Sequence, residues 1–216
     1  MTSPAGVGRP GLVGYPVNLL VTGRRVVVVG GGRIAARKVR ALLDAGAEVH
    51  VVASTVTEDL AAEATAGRLT VDLRPFEPAD LDGAWLAVSA TDVPEVNAAV
   101  FAAGEVRRCF VNSADDPAHC SFTLMSVVRQ SDIVVTVGTG GRSPALATWL
   151  KDHVETELGS EYAVLLDLLS EARESLRAAG GSTEDANWRQ AFDSGILDLV
   201  KAGEIDRAKE LLRSCL

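Results

Sequence analysis

An α/β fold is what this sequence predicts: a parallel sheet covered on both faces by helices, then a small β-hairpin, then a C-terminal helical region. Three observations carry the prediction. The run Val26-Val27-Val28-Val29 stops at Gly30-Gly31-Gly32 and passes without a break into Arg37-Lys38-Val39-Arg40-Ala41-Leu42-Leu43, whose apolar positions recur at helical spacing, which reads as strand, tight turn and helix. Short β-branched runs then alternate with helical stretches, and such alternation implies parallel strands joined by crossovers. Past Asp116-Pro117 the alternation gives way to two strand-like runs with no helix between them, and then to helical periodicity as far as Leu216.

In chain order, residues 1–14 are rich in Gly and Pro and read as a flexible tail. Tyr15–Val21 is expected to form a short edge strand, with Thr22-Gly23-Arg24 turning into the central strand at 25–30. Asp44-Ala45-Gly46 stops the first helix, and Glu48–Ala53 is the next strand. A helix over 55–66, a strand over 69–73, a helical turn near 77–82, a strand at Trp85–Ser89, a helix over 93–104 and a strand over 109–113 follow. Ser121–Val128 and Asp132–Val137 should pair as a hairpin across Arg129-Gln130-Ser131. Ser143 then fits an N-cap with Pro144 in the first helical position. The remainder should form about four helices, punctuated by Gly159, Gly180-Gly181, Gly195 and Gly203.

Composition narrows the function classes. With 216 residues, 47% of them hydrophobic, the chain can bury a real core. No apolar run approaches the roughly 18 residues needed to span a bilayer, and the N-terminus has no charged segment followed by an apolar one. A cytoplasmic, non-membrane protein is expected. Cys109, Cys120 and Cys215 form no CxxC pair and leave an odd count, against both a disulfide framework and a thiolate zinc site. A formal charge of −8 argues against nucleic-acid binding. A negatively charged ligand must then be received by local donors, with Arg33, Arg37, Lys38, Arg107, Arg108 and Arg142 as candidates.

The glycine turn points to a dinucleotide. Glycines let backbone N–H groups reach a pyrophosphate, and the following helix presents its positive end. In the G-x-G-x-x-G/A fingerprint of a Rossmann-like sheet the positions are Gly30, Gly32 and Ala35. The acid that ordinarily holds the ribose hydroxyls at the end of the second strand is missing, because nothing acidic follows Ala53 until Glu58. Ribose contacts then fall to Ser54 and Thr55, unless Thr55 simply caps the next helix, and the choice between NAD and NADP is left open.

Other candidates lie at the same end of the sheet. Ser89-Ala90-Thr91-Asp92 can line the nicotinamide side of a cofactor, or serve only as a strand-to-helix turn capped by Thr91 or Asp92. Asn112-Ser113-Ala114-Asp115-Asp116-Pro117 offers a carboxylate to take a proton while a hydride leaves the substrate, although Asp-Asp-Pro is also ordinary turn chemistry. His119 and Cys120 lack further ligands at metal spacing, and no metal site is expected. Gly138–Pro144 is a second glycine-rich turn opening a helix, with Arg142 as a charged donor, so a second anionic ligand is expected there.

These segments together resemble the precorrin-2 dehydrogenase family, the amino-terminal region of siroheme synthase, which also exists as a free-standing dehydrogenase or dehydrogenase/ferrochelatase. The match is carried by Tyr15-Pro16-Val17, Val29–Lys38, Leu86–Asp92 with Asn97, Val111-Asn112 with Asp115 and Pro117, Ser121-Phe122, and Gly140–Ala147. The resemblance implies NAD⁺-dependent oxidation of precorrin-2, a tetrapyrrole rich in carboxylates, to sirohydrochlorin for siroheme or cobalamin, with metal insertion in some members. It implies cofactor contacts at Gly30, Gly32, Arg33, Ile34, Ser54, Thr55, Thr91 and Asp92, substrate contacts at Asn112, Gly140, Gly141, Arg142 and Ser143, and Asp115 as the catalytic aspartate. It further implies a homodimer that exchanges residues 117–150 and shares its site across the interface, between a dinucleotide-binding domain at 15–116 and a helical domain at 151–216. Leu124-Met125 stands where the family has Met-Pro, so a straighter strand is expected there. The chain ends without the methyltransferase domain of the long enzymes, and is expected neither to bind S-adenosylmethionine nor to make precorrin-2. The alternative is a regulatory NAD(H)-sensing module without chemistry, which would need neither Asp115 nor the second glycine turn.

Overall fold

The computed structural model describes residues 14–184 and 186–216, so most of the tail expected at 1–14 lies outside the described residues. Two compact units divide between Leu124 and Met125. In the first, five parallel strands lie in the order β3-β2-β1-β4-β5, with β1 at Arg25–Val29, β2 at Glu48–Val52, β3 at Leu69–Asp72, β4 at Leu86–Ser89 and β5 at Phe110–Ser113.

Strand β1 sits at the centre because it is apolar on both sides. Val26 and Val28 face a cluster with Val49, Val51 and residues of two helices, α1 (Arg33–Asp44) and α2 (Glu58–Thr65). Val27 and Val29 face Ala87, Val111, Leu81 and the helix α3 (Pro94–Arg107). Each buried valine contributes roughly 1.5–3 kcal/mol relative to exposure. Residues alternate between faces along a strand, so an unbroken valine run marks a strand covered on both.

Several boundaries differ from expectation. Tyr15–Val21 is not a strand: Tyr15 is 89% and Leu20 77% exposed, and β2 and β4 already occupy both edges of β1, the strand this segment leads into. Helix α2 begins at Glu58, with Thr57 as its N-cap, so Thr55 is free of a capping role. Helix α3 runs through Gly104 to Arg107. A Cβ at Gly104 would sit 2.3 Å from Val111 Cγ2, so this glycine marks close packing of α3 on β5 rather than a helix end.

In the second unit β6 (Ser126–Gln130) pairs antiparallel with β7 (Ile133–Val137), and the turn is Ser131-Asp132. The first hairpin strand starts five residues later than expected. Ser121 and Phe122 are instead held to β5, their N–H groups donating to the Val111 carbonyl at 2.8 and 3.4 Å, which also leaves the Leu124-Met125 position outside any strand. Helix α4 (Pro144–Glu157) packs on the hairpin, with Ser143 Oγ accepting from Leu146 N at 3.2 Å as its cap. Four more helices follow among the described residues: α5 (Glu161–Ala178), α6 (Trp188–Asp193), α7 (Ile196–Lys201) and α8 (Ile205–Cys215). Five helices thus stand where about four were expected, because Gly195, at φ 84°, separates α6 from α7. Helices α5 to α8 share a core of Leu165, Leu168, Ala191, Ile196, Val200, Ala208 and Leu212. No described helix is long and apolar enough to cross a membrane.

Candidate dinucleotide and proton-transfer site

The three glycines after β1 do three different things. Gly30 has φ 118°, and a Cβ there would lie 2.4 Å from the Ala90 carbonyl oxygen. Gly31, absent from the expected fingerprint positions, is pressed against the loop after β2: its Cβ would lie 1.9 Å from Thr55 O, and its own carbonyl accepts from Thr57 N at 2.9 Å. Gly32 is the N-cap of α1, with ordinary extended backbone (φ −82°, ψ −174°) and nothing within 4 Å of a Cβ. The first two glycines are therefore required by the protein's own packing, whereas Gly32 faces open space. No side chain caps α1 and its first turn carries no acid, so its leading N–H groups are open to an anion. Arg33 and Ile34 are exposed beside them, and buried Ala35 lets the helix approach the sheet.

Ser54 and Thr55 are exposed at the end of β2. At the end of β4 a buried network shapes the next loop. Ser89 Oγ and Thr91 Oγ1 both donate to Asn97 Oδ1, at 2.5 and 2.8 Å, and Asn97 Nδ2 donates to Thr91 O at 3.2 Å. Asn97 thus sets the loop whose Ala90 carbonyl closes over Gly30. The sequence showed Asn97 only as one matching residue; its signal as a loop-builder was a polar side chain at a buried helical position. Thr91 Oγ1 also accepts from Val93 N at 3.3 Å, while Asp92 is exposed; the N-cap of α3 is Val93.

At the end of β5 the two aspartates separate. Asp115 is exposed in the left-handed region (φ 59°) and makes no hydrogen bond or ion pair within the described residues. Asp116 is occupied: its Oδ2 lies 2.6 Å from His119 Nδ1, whose ring packs edge-on against Phe101. Asn112 is buried, and its Nδ2 donates to Phe122 O at 3.0 Å, so it ties the loop down and keeps only its Oδ1 open. Cys120 Sγ is enclosed by Ser113 and Asp116 backbone atoms, and burial pushes its thiol up. Lys38 is half-buried on α1; burial, then neighbouring Arg37, lowers its ammonium below the ordinary lysine range, and Asp115 and Cys120 act in the opposite direction. Two buried hydroxyls at this rim, Thr57 Oγ1 and Ser113 Oγ, have no hydrogen-bond partner among the described residues.

The structure therefore gathers Gly30, Gly32, Arg33, Ile34, Ser54, Thr55, Thr91, Asp92, Asn112 and Asp115 at the carboxyl ends of β1, β2, β4 and β5. This is where an open α/β sheet receives ligands. The second glycine turn belongs to the second unit. Gly140 and Gly141 have φ of 61° and 74° with open space around them, and Thr139 Oγ1 donates to Ser143 O at 3.0 Å. Arg142 is exposed and unpaired within the described residues, and Ser143 Oγ, which accepts the capping bond, keeps its own proton to donate.

Comparison with known proteins agrees with this geometry. The chain is 36% identical to siroheme synthase 1 of Pectobacterium atrosepticum over 195 residues, covering 89% of this chain and 41% of that protein. It is 38% identical to siroheme synthase of Pseudomonas entomophila over 194 residues, covering 89% and 42%. It spans about two fifths of the length of these curated relatives. A solved structure, "SirC, precorrin-2 dehydrogenase", superposes with a TM-score of 0.68 over 93% of this chain and 98% of that one at 24% identity, a likeness of fold. A family model described as "Putative NAD(P)-binding" matches residues 17–126, the stretch that contains both the glycine turn and Asp115, and the chain belongs to that family.

Proposed function

We propose that this protein oxidises precorrin-2 to sirohydrochlorin with NAD⁺, in siroheme or cobalamin synthesis. The observation that carries the reading is the pairing, on one rim, of an open dinucleotide cradle at Gly32 with an unengaged carboxylate at Asp115. The cradle fits a pyrophosphate because a Cβ at Gly32 would fill space that no protein atom uses. The siroheme synthase relatives and the precorrin-2 dehydrogenase likeness supply the substrate class.

In this reading the leading N–H groups of α1 and Arg33 hold the pyrophosphate, Ile34 and the Thr91-Asp92 loop flank the rest of the cofactor, and Ser54 and Thr55 meet the ribose. NAD⁺ supplies the hydride acceptor. Asp115 takes the proton from a substrate atom conjugated with the carbon that gives up the hydride, so one hydride and one proton leave from two different atoms and their electrons leave a new double bond in the substrate. Asn112 keeps the Asp115 loop seated, and Gly140, Gly141, Arg142 and Ser143 receive substrate carboxylates. Residues 15–116 are the cofactor domain, 117–150 the dimerisation region and 151–216 a helical domain. The homodimer is supported by the hairpin, where Val127 and Val134 stay exposed on two strands that α4 already packs against. Free Cys109, Cys120 and Cys215 favour the cytoplasm.

The test is NADH formation, followed by fluorescence, from precorrin-2 generated in situ. Turnover supports the reading, and binding of NAD⁺ without turnover would favour the NAD(H)-sensing alternative. Iron or cobalt added to isolated sirohydrochlorin then reports whether the protein also inserts metal.

A further inference from the structure

We propose that Lys38 receives a carboxylate of the tetrapyrrole and so holds the reacting ring against Asp115; this deepens, and rests on, the precorrin-2 reading above. The geometry begins with α1, whose Ala35, Val39 and Leu42 join a core cluster in which Phe122 also packs. Asn112 Nδ2 and the Val111 backbone bind the Ser121-Phe122 stretch, Phe122 packs in the cluster that α1 shares, and the loop carrying Asp115 and Cys120 comes near enough to α1 for both groups to act on the Lys38 charge. Lys38 is half-buried, yet among the described residues it has neither a hydrogen bond nor an ion pair. Asp115 is near enough to act on its charge and still does not pair with it.

A partly desolvated ammonium with unmet donors is costly unless an anion arrives. The charged and titratable groups acting on it are Arg37 on its own helix, which repels it, and Asp115 and Cys120 on the facing loop. Burial has already lowered its proton affinity, and an incoming carboxylate would restore it. The cofactor pyrophosphate is the wrong anion. Lys38 lies six residues beyond Gly32, about 9 Å along the helix axis at 1.5 Å per residue, and the pyrophosphate belongs at the helix start. The tetrapyrrole carries carboxylates around its rim, and one that reaches Lys38 brings the neighbouring ring carbon to Asp115.

The experiment compares wild type, Lys38→Met and Lys38→Arg for precorrin-2 turnover, NAD⁺ affinity by calorimetry, and binding of isolated sirohydrochlorin by absorbance titration. Loss of a charged hydrogen bond predicts a KM for precorrin-2 and a Kd for sirohydrochlorin raised about 10- to 100-fold in Lys38→Met, an unchanged NAD⁺ affinity, and recovery of most of the loss in Lys38→Arg. Sirohydrochlorin affinity unchanged in Lys38→Met would overturn the assignment, as would a parallel loss of NAD⁺ affinity. A wild type that binds NAD⁺ but neither oxidises precorrin-2 nor binds sirohydrochlorin would instead overturn the substrate reading, and this inference with it.

Discussion

Replacing Gly32 by valine should abolish cofactor binding without harming the fold. On the protein side the change is nearly free. The backbone at Gly32 is in a region any residue adopts, and a Cβ there meets nothing within 4 Å, so stability should stay within about 0.5 kcal/mol of wild type. On the ligand side the cost is large. A phosphate oxygen must come to about 2.8–3.0 Å from the backbone nitrogens, and the valine methyls occupy its approach. Loss of two charge-assisted N–H bonds at roughly 1.5–3 kcal/mol each amounts to about 3–6 kcal/mol, more than a hundredfold in Kd at about 1.4 kcal/mol per decade. Calorimetric titration with NAD⁺ and a thermal melt read the two quantities separately. Gly31→Ala is the contrasting variant: its Cβ would collide with the Thr55 carbonyl at 1.9 Å, the loop before α2 must move, and overpacking of about 1–3 kcal/mol should lower the melting temperature. If Gly32→Val binds NAD⁺ with unchanged affinity, or if it unfolds while Gly31→Ala does not, the division of labour among the glycines is wrong.

Asp115→Asn keeps the size of the side chain and removes the base, so turnover should fall about 10²- to 10⁴-fold with cofactor binding retained; full activity would refute its role. Asp116→Asn weakens the bond to His119 and should cost about 1 kcal/mol of stability with little loss of rate, and the reverse pattern in the two variants would mean that the other carboxylate is the base. Arg142→Glu should raise KM for the tetrapyrrole and leave NAD⁺ affinity unchanged, whereas equal losses for both ligands would contradict a substrate role. The Arg74 hydrogen bond holds the Asp80 carboxyl below its usual range, at 2.9 Å from Asp80 Oδ2 to Arg74 Nη1. A lowered folded-state pKa contributes stability that is present above the unfolded carboxylate range, near pH 4, and lost as pH falls through the folded value. Asp80→Asn should therefore be less stable than wild type at pH 7, and the gap should narrow in melts taken below pH 4; a gap independent of pH would exclude this linkage.

Much of the first unit was readable from the chain because its signals are local. Four consecutive valines ending in glycines announce a strand buried on both faces and a tight turn that opens a helix, and both follow from backbone geometry and side-chain type alone. Asp115 was marked by its place after a strand and by the family resemblance. The C-terminal helices were visible in outline because helical periodicity is local too, although six-residue helices such as α6 and α7 give too little periodicity to be counted.

What only the tertiary structure decided depends on neighbours distant in sequence. Tyr15–Val21 has strand-like residues, but β1 has no free edge beside it. The helix expected over 93–104 runs on through Gly104, where Val111 lies against it, and Gly31, outside the fingerprint positions, proves to be pressed against the Thr55 carbonyl. The same holds for the aspartate pair: adjacent and chemically identical in the sequence, they are separated by His119, which engages Asp116 and leaves Asp115 open. Pairing, close approach and burial are properties of atoms brought together by folding, and a linear pattern carries them only where the residues that meet are also near in the chain.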